Sequence, residues 1–549
     1  MTTKTALVAA AVATLVATGL AACGSSSNGG GGAKGGGTLT IQGDAGNPTL
    51  VENFNPFVAA TELHGGYLMY EPLEFRSPVD GTFTPFLATG HKFTDPKTLD
   101  FTIRQNVKWS DGQPFTAADV VFTFNLIKKY PALDGNGVWA QITGVATSGN
   151  DVTVTFKAPN VPFAGVVAKT PIVPEHLWSS VPDPTKFTNT KPVGTGPFTL
   201  DKFAPTQYSL KKNPTYWQAA KIAPSEVLFP AQSSNQATNQ LDVSSGKFDW
   251  SYNFLPNVQK TYVSRSKTNI YWFPPGGVIT LYLNLTKAPY NDANFRKGIS
   301  LALDRTTIAQ KAVNGYLDAA SQSGLILPNL KKWLDPSLPD QGVVKPDPAA
   351  AQAAFAQAGY TMQGGKLVKD GKQASMSIVM PNNFTDWVAA AKEVSTQLGQ
   401  VGIKASLDLP QFPQYQSSIQ AGTFDAAIGG FGGTGDPYTD FNNALNSSFA
   451  APVKTATANN FERFKDPTVD QALATLAAAT DPEAQQQATH TLEQVMYKQV
   501  PAVLMYYGGS WGLFSTKNFT GWPSADNPYT LPTSYDGSLL LVVTRLTKA

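Results

Sequence analysis

The sequence predicts an α/β protein of two or three globular units, and three observations carry that expectation. The chain has 549 residues, whereas single domains hold roughly 100 to 200. Short period-two runs and helical stripes follow one another along it. One stretch, Leu281 to Arg305, shows both periods in succession. Leu281, Leu283 and Leu285 alternate with Tyr282 and Asn284 as in a strand with two differently used faces, after which Phe295, Ile299, Ala302 and Leu303 fall on one face of a helix. Asn291 or Asp292 can cap that helix and Asp304 the next. Lying just past the middle of the chain, the stretch is where backbone could pass from one body to another.

At the amino terminus, one cation, Lys4, precedes an apolar run from Ala6 to Leu20 that is short and alanine-rich for a membrane span and reads as an export signal. The run ends in Leu20-Ala21-Ala22-Cys23-Gly24, which resembles the lipobox of bacterial lipoproteins and implies that Cys23 is lipidated and becomes the first residue. Cys23 is the only cysteine, so neither a disulfide nor a cysteine metal site is expected. The glycine- and serine-rich residues 24 to 37 cannot bury anything and read as a tether with a reach of about 20 Å. Lysine and arginine (41) nearly balance aspartate and glutamate (39), and charged residues are 15 % of the total. That balance leaves no electrostatic footprint for nucleic acid or an anionic bilayer.

The folded part opens with a strand, Leu39 to Gln42, and a loop rich in Gly, Asn and Pro. Leu68 to Phe75, Leu99 to Arg104 and Val152 to Phe156 alternate as strands, and Asp111-Gly112 offers turn chemistry. Thr116 with Asp119 has the spacing of a capping box before the stripe Val120, Phe124 and Ile127. Trp387, Val388, Ala391, Val394, Leu398 and Val401 predict a covering helix capped by Asp386. Ile403 to Leu409 predicts a strand, and Phe424 to Phe431 a buried strand running into a glycine loop. Thr480-Asp481-Pro482 starts a helix with Leu492, Val495 and Met496 inward, which leads to a last strand, Val503 to Tyr507.

Two apparent catalytic motifs fail on context. Gly508 to Gly512 spells G-x-S-x-G around Ser510, but in that fold the histidine follows the serine, and His64, His91, His176 and His490 all precede it. Gly430 to Gly435 spells G-x-G-x-x-G, yet Asp436-Pro437 follows in place of an apolar helix and no acid stands near the expected offset. A loop that brings backbone close to a ligand is the better reading. The histidines lack metal spacing, so no metal and no cofactor is expected.

The segment from Thr98 to Ile127, TLDFTIRQNVKWSDGQPFTAADVVFTFNLI, resembles the signature region of the bacterial extracytoplasmic solute-binding proteins of family 5. YEPL at Tyr70, PVGTGPF at Pro192, NPTYW at Asn213, GKFDW at Gly246, NLTKAPYNDANFRKGISLALDR at Asn284, DPTVDQAL at Asp466 and VPAVLMYY at Val500 match in the same order. The resemblance implies a two-lobed type II periplasmic-binding-protein fold with an extra subdomain on the first lobe. It divides the chain into a signal peptide (1–22), the lipidated cysteine and tether (23–37), a first lobe (38–80, 190–283 and 506–549), the subdomain (81–189) and a second lobe (284–505). It also implies a paired hinge at Tyr282, Leu283 and Asn284 and at Met505, Tyr506 and Tyr507.

Closing two lobes on a solute requires aromatic walls and a few orienting polar groups. The candidate walls are Trp250, Tyr252, Trp272, Phe273, Trp387, Phe431 and Trp511, and the polar candidates Asn53, Asn55, Asn382, Asn383 and Asp436. Asp292, Arg296, Asp304 and Arg305 read as capping and ion-pair groups of the second lobe. Peptide-binding relatives place an aspartate for the ligand ammonium where this chain has Gly433. Asp436 could replace it; otherwise the loop is uncharged, and the many tryptophans suit an oligosaccharide as well as an oligopeptide. The expected function is binding without catalysis: a monomeric lipoprotein on the outer face of the cell membrane that hands its solute to the transmembrane subunits of an ABC importer. The alternatives are a secreted polysaccharide-acting enzyme and a sensory lipoprotein.

Overall fold

A computed structural model of the chain describes residues 37–43, 49–58, 63–233, 235–327 and 329–549. The expected export signal, the expected lipidation site Cys23 and nearly all of the expected tether lie outside the described residues. Those described are mixed α/β, as the alternation of periods predicts, and they pack around two large apolar cores.

The first core draws on two four-stranded sheets. In one, Thr38–Thr40 lies parallel to Glu226–Pro230, followed by Gln207–Lys212 and Phe198–Ala204. The other is an antiparallel sheet of Ala88–Asp95, Thr98–Ile103, Asp151–Phe156 and Ile142–Ser148. Helix Ala117–Lys129 covers the latter with Val120, Phe124 and Ile127, all buried. The Asp119 carboxylate accepts the Thr116 backbone N–H at 2.9 Å, so the predicted capping residues do meet. The carboxy-terminal helix Ser538–Arg545 returns to this core through Leu539 to Val543.

The second core is built on a five-stranded sheet in the order Lys404–Asp408, Ser375–Val379, Ala426–Phe431, Pro275–Leu283, Ala502–Gly509. Alternation in the strand Pro275–Leu283 sorts its side chains between two apolar clusters. Leu281 and Leu283 enter the main core, while Tyr282 joins Val379, Tyr415, Ile419 and Phe424 on the other side. Both faces are thus covered, which explains a strand apolar on one side and aromatic on the other. Asp292 caps helix Ala293–Ala302 by accepting from Asn294 N–H at 2.8 Å, and Asp304 caps Arg305–Val313 by accepting from Thr307 N–H at 3.1 Å. Each cap satisfies amides that the first helical turn leaves unpaired.

Three expectations are corrected. The run Leu68 to Phe75 is not one strand: helix Leu63–Met69 occupies its start, Pro72 follows, and only Glu74–Arg76 is extended. Leu68, Met69 and Leu73 are buried from these different conformations, so an apolar run alone did not fix the period. Asp386 lies inside the first turn of helix Thr385–Gln400, whose cap position is Phe384. Finally, Arg296 and Arg305 form no ion pairs among the described residues. Arg296 donates to the carbonyls of Tyr290 (2.9 Å), Gln499 (2.8 Å) and Val500 (2.9 Å), closing the carboxy-terminal end of helix Pro482–Gln499. Arg305 donates to the carbonyls of Leu504 (2.7 Å) and Ser300 (2.8 Å). A fork of five donors suits carbonyls left over at helix and strand ends.

Candidate functional site

The chain passes twice between the five-stranded sheet and a three-stranded sheet of Trp250–Tyr252, Gly512–Ser515 and Asn269–Trp272. The passages are adjacent because Pro275 pairs with Gly509 and Gly277 with Gly508. Beside them lies a small aromatic cluster. Trp511 stands 5.1 Å from Phe273 and 5.0 Å from Phe254, ring to ring, and Phe273 stands 5.4 Å from Tyr316. Tyr252 reaches the same place, its hydroxyl donating to the Gly509 carbonyl at 3.3 Å.

The glycine loop that follows strand Ala426–Phe431 is seated between the two cores, and its glycines are what allow it. At Gly433, with φ of +106°, a Cβ would fall 2.3 Å from the Gly276 carbonyl oxygen at the first passage. At Gly435, with φ of +73°, a Cβ would fall 2.6 Å from the Ser77 carbonyl oxygen in the first core. Only glycine combines that backbone region with so close an approach. Asp440, buried beneath the loop, accepts from Gly433 N–H (3.2 Å), Thr434 N–H (3.2 Å) and the Thr434 hydroxyl (2.7 Å). Burial pushes its carboxyl up to about 6 against these hydrogen bonds, which favour the charged form. Asp436 caps helix Pro437–Leu445, taking the Thr439 hydroxyl at 2.6 Å, and forms an ion pair with Arg76 at 2.9 Å. Its charge is already matched from within the protein.

Two cavities adjoin the loop. The larger, of about 440 Å³, is lined by Tyr67, Glu74, Arg76, Lys169 and Asp536 on the side of the first core and by Thr434 and Thr439 on the side of the second. The smaller, of about 170 Å³, lies between Arg76, Phe83 and His91 and Trp333, Asp436 and Tyr438. Of the ligand residues expected from sequence, Asp436 alone lines either one.

The others are distributed as follows. Tyr252, Phe273 and Trp511 are gathered at the passages, with Gly433 close by. Trp272 is half-buried against the first core. Trp250 is a core residue: it is fully buried, 5.8 Å from Trp522 and 6.0 Å from Phe514, and its indole N–H donates to the Pro532 carbonyl at 3.3 Å. Asn55 is likewise committed, donating to the carbonyls of Pro184 (2.9 Å) and Phe187 (2.8 Å), while Asn53 accepts the Asn55 backbone N–H at 3.1 Å. Both hold the loop, and neither lines either of the two cavities. Asn382 and Asn383 are exposed, and Trp387 packs on Phe384 at 5.0 Å. Phe431 is buried against Phe441 at 6.3 Å.

Of the expected hinge residues, Tyr282, Leu283, Met505, Tyr506 and Tyr507 lie buried inside the paired strands Pro275–Leu283 and Ala502–Gly509. Asn284 follows them and donates to the carbonyls of Gly422 and Phe424, each at 2.8 Å. The passages proper are the strand ends beyond, at Pro275 and Gly509. Sequence reasoning missed an amide chain in which Asn253 donates to Gln42 and Gln42 to Gln232 (3.1 Å). It also missed Tyr67, Arg76, Lys169 and Asp536, which share no motif. Among the described residues no helix is long and apolar enough to cross a membrane, and no cluster of three acidic, histidine or cysteine side chains is placed to hold a metal.

Residues 82–452 match the family model described as bacterial extracellular solute-binding proteins, family 5 middle. Among curated relatives, protein XP55 of Streptomyces lividans is 26 % identical over 409 residues, 73 % of this chain and 71 % of its own. The periplasmic oligopeptide-binding protein OppA of Salmonella typhimurium is 25 % identical over 471 residues, 78 % of this chain and 80 % of its own. Among solved structures, the periplasmic oligopeptide-binding protein of an oligopeptide ABC transporter from Thermotoga maritima superposes with a TM-score of 0.84 at 24 % identity, covering 93 % of this chain and 99 % of that one. The mannohexaose-bound form of that protein superposes at 0.76, covering 93 % and 98 %. The two-lobed type II periplasmic-binding-protein architecture therefore extends over nearly the whole chain.

Proposed function

Because the chain belongs to the bacterial extracellular solute-binding proteins of family 5, we propose that it is the extracytoplasmic receptor of an ABC importer, capturing an oligopeptide or an oligosaccharide between two lobes. The observation that supports this best is the glycine loop of the second core, seated on the first core beside a cavity lined from both. A solute held there touches both bodies, and ligand contacts made only in the closed form shift the population toward it. The lobes are taken as 38–80 with 190–283 and 506–549, carrying the subdomain 81–189, and 284–505. They turn about the paired segments around Tyr282 to Asn284 and Met505 to Tyr507, and flex at the strand ends Pro275 and Gly509.

The aromatic group Tyr252, Phe273 and Trp511 supplies stacking faces, and the amides of Gln42 and Asn253 supply donors and acceptors. Both suit peptide groups and sugar hydroxyls. The T. maritima protein of the same fold is described as oligopeptide-binding and has been solved with mannohexaose, so the fold accommodates both chemistries. The lobes recognise and release without altering the solute, and Cys23 holds the body near the permease. The test is a thermal-shift screen of tri- to pentapeptides against cello-, xylo- and manno-oligosaccharides. A bound solute at a hundredfold excess over Kd adds about 2.7 kcal/mol, a shift readily seen. No shift with either class, or product formed from a labelled oligosaccharide, overturns the proposal.

A further inference from the structure

Four charged side chains line the larger cavity: Glu74, Arg76, Lys169 and Asp536. Three are satisfied from within the protein. Glu74 pairs with His91. Arg76 pairs with Asp436 at 2.9 Å. Asp536 takes the Thr533 hydroxyl on both oxygens at 2.8 Å and the Ser538 backbone N–H at 2.8 Å. Lys169 alone has neither a hydrogen bond from its ammonium nor an ion pair among the described residues. Asp536, although near enough for its field to be felt, is not within pairing distance.

A lysine just past a helix end is ordinarily a solvated cation that complements the last carbonyls. Lys169 does follow the short helix Ala164–Ala168, but its surroundings differ from that ordinary case. Pro162, Val166, Pro171 and Leu540 give the cavity apolar walls. Desolvation by these surroundings lowers the ammonium pKa, even though the side chain is exposed to the cavity. An ammonium against apolar walls gains most from a ligand that brings the missing anion.

We propose that this cavity receives a carboxylate of the solute, with Lys169 as its counter-charge, so that acid-bearing oligomers are preferred over neutral ones. The proposal rests on the receptor reading above and narrows its ligand class. A carboxylate could come from the end of a peptide or from an acidic sugar, and the experiment separates the two.

Titration calorimetry would compare tetra-alanine with its carboxy-terminal amide, and trigalacturonate with mannotriose. In the native protein the acid member of at least one pair binds about tenfold more tightly than its neutral counterpart, a difference of about 1.4 kcal/mol. Lys169→Gln brings the acid down to the affinity of the neutral member, and Lys169→Arg restores part of the preference. The pair that responds identifies the source. Equal binding within both pairs, or an equal loss for acid and neutral members in Lys169→Gln, overturns the proposal. A second measurement is independent of any oligomer: acetate titrated into protein carrying 13C-dimethylated lysines, with the Lys169 resonance assigned by its absence in Lys169→Gln. That signal is expected to move at lower acetate than those of surface lysines. If it moves while no oligomer binds, the receptor reading fails and the anion subsite stands; if it moves only with the surface lysines, the subsite fails.

Discussion

Arg76 and Asp436 join the two cores through an ion pair of 2.9 Å, one partner from the strand Glu74–Arg76 and the other from the cap of helix Pro437–Leu445. The arrangement is local but not isolated. Gly435 packs on Ser77 and Pro78, a Cβ on Gly81 would fall 2.8 Å from the Gly435 carbonyl oxygen, and Lys332 donates to the Asp80 carbonyl at 3.2 Å. A separation of the two cores at this edge would break all of these contacts together.

The first prediction follows from that position. Asp436→Asn keeps a residue able to cap the helix while removing the charge, and Arg76→Gln removes the other charge. A partly buried pair of this kind is expected to show a coupling of about 1 kcal/mol in a double-mutant cycle on thermal stability. In small-angle scattering without ligand, each single variant is expected to have a larger radius of gyration than the native protein. A coupling of zero with unchanged scattering shows that the pair does not hold the lobes.

The glycine loop gives a sharper contrast. Gly433→Ala places a Cβ 2.3 Å from the Gly276 carbonyl oxygen at φ of +106°, whereas Gly430, one strand residue before Phe431, has open space around a Cβ and no positive φ. Gly433→Ala is expected to cost about 1–3 kcal/mol and to weaken solute binding, with Gly430→Ala near neutral in both. Equal melting temperatures for the two variants contradict the seating of the loop.

These pairs also mark where sequence reading reached its limit. The caps Asp292, Asp304 and Asp481 were legible because a cap is a short-range bond; Asp481, for example, accepts Ala484 N–H at 2.9 Å. Helical stripes and the two-faced strand ending at Leu283 were legible for the same reason, since period reflects local geometry. Leu68 to Phe75 misled because an apolar run can be buried from a helix, a loop or a strand. Trp250 was named as a wall because it stands at a strand end beside the inferred cleft. Whether an indole at such an end faces solute or core is decided by what arrives from elsewhere, here Phe514, Trp522 and Pro532. Arg76 and Lys169 carried no signal, since their partners and cavity exist only after folding.

Glu493 supplies a prediction on pH. It is fully buried and accepts Asp335 N–H at 3.1 Å, and burial, reinforced by the Asp335 charge, pushes its carboxyl from 4.5 up to about 8. The folded state keeps this proton between pH 4.5 and 8 while the unfolded chain releases it. Its contribution is therefore full below 4.5 and lost as pH rises toward 8. Glu493→Gln carries no proton to lose. The variant's stability relative to the native protein is expected to improve by on the order of 1 kcal/mol or more from pH 5 to pH 8. Other buried carboxyls titrate in both proteins and cancel in the comparison. Parallel stability curves over that range would place the Glu493 pKa near its ordinary value.

Trp250 and Trp511 separate the fold from the site. Trp250 is fully buried, so Trp250→Ala leaves a large void among Phe514, Trp522 and the strand beneath and is expected to cost about 3–5 kcal/mol. Trp511 is half-buried, touching Phe254 and Phe273 and lying against Gly509. Trp511→Ala is therefore expected to cost less stability but to weaken the solute found in the screen by about tenfold or more, since stacking on one ring face is lost. Melting curves and calorimetry on the same two variants decide the matter. If Trp511→Ala binds as well as the native protein, the aromatic group at the passages is packing only, and the solute lies wholly in the cavity with Lys169. If Trp511→Ala and Lys169→Gln each weaken the same acidic oligomer, the solute spans both places, with the glycine loop between them.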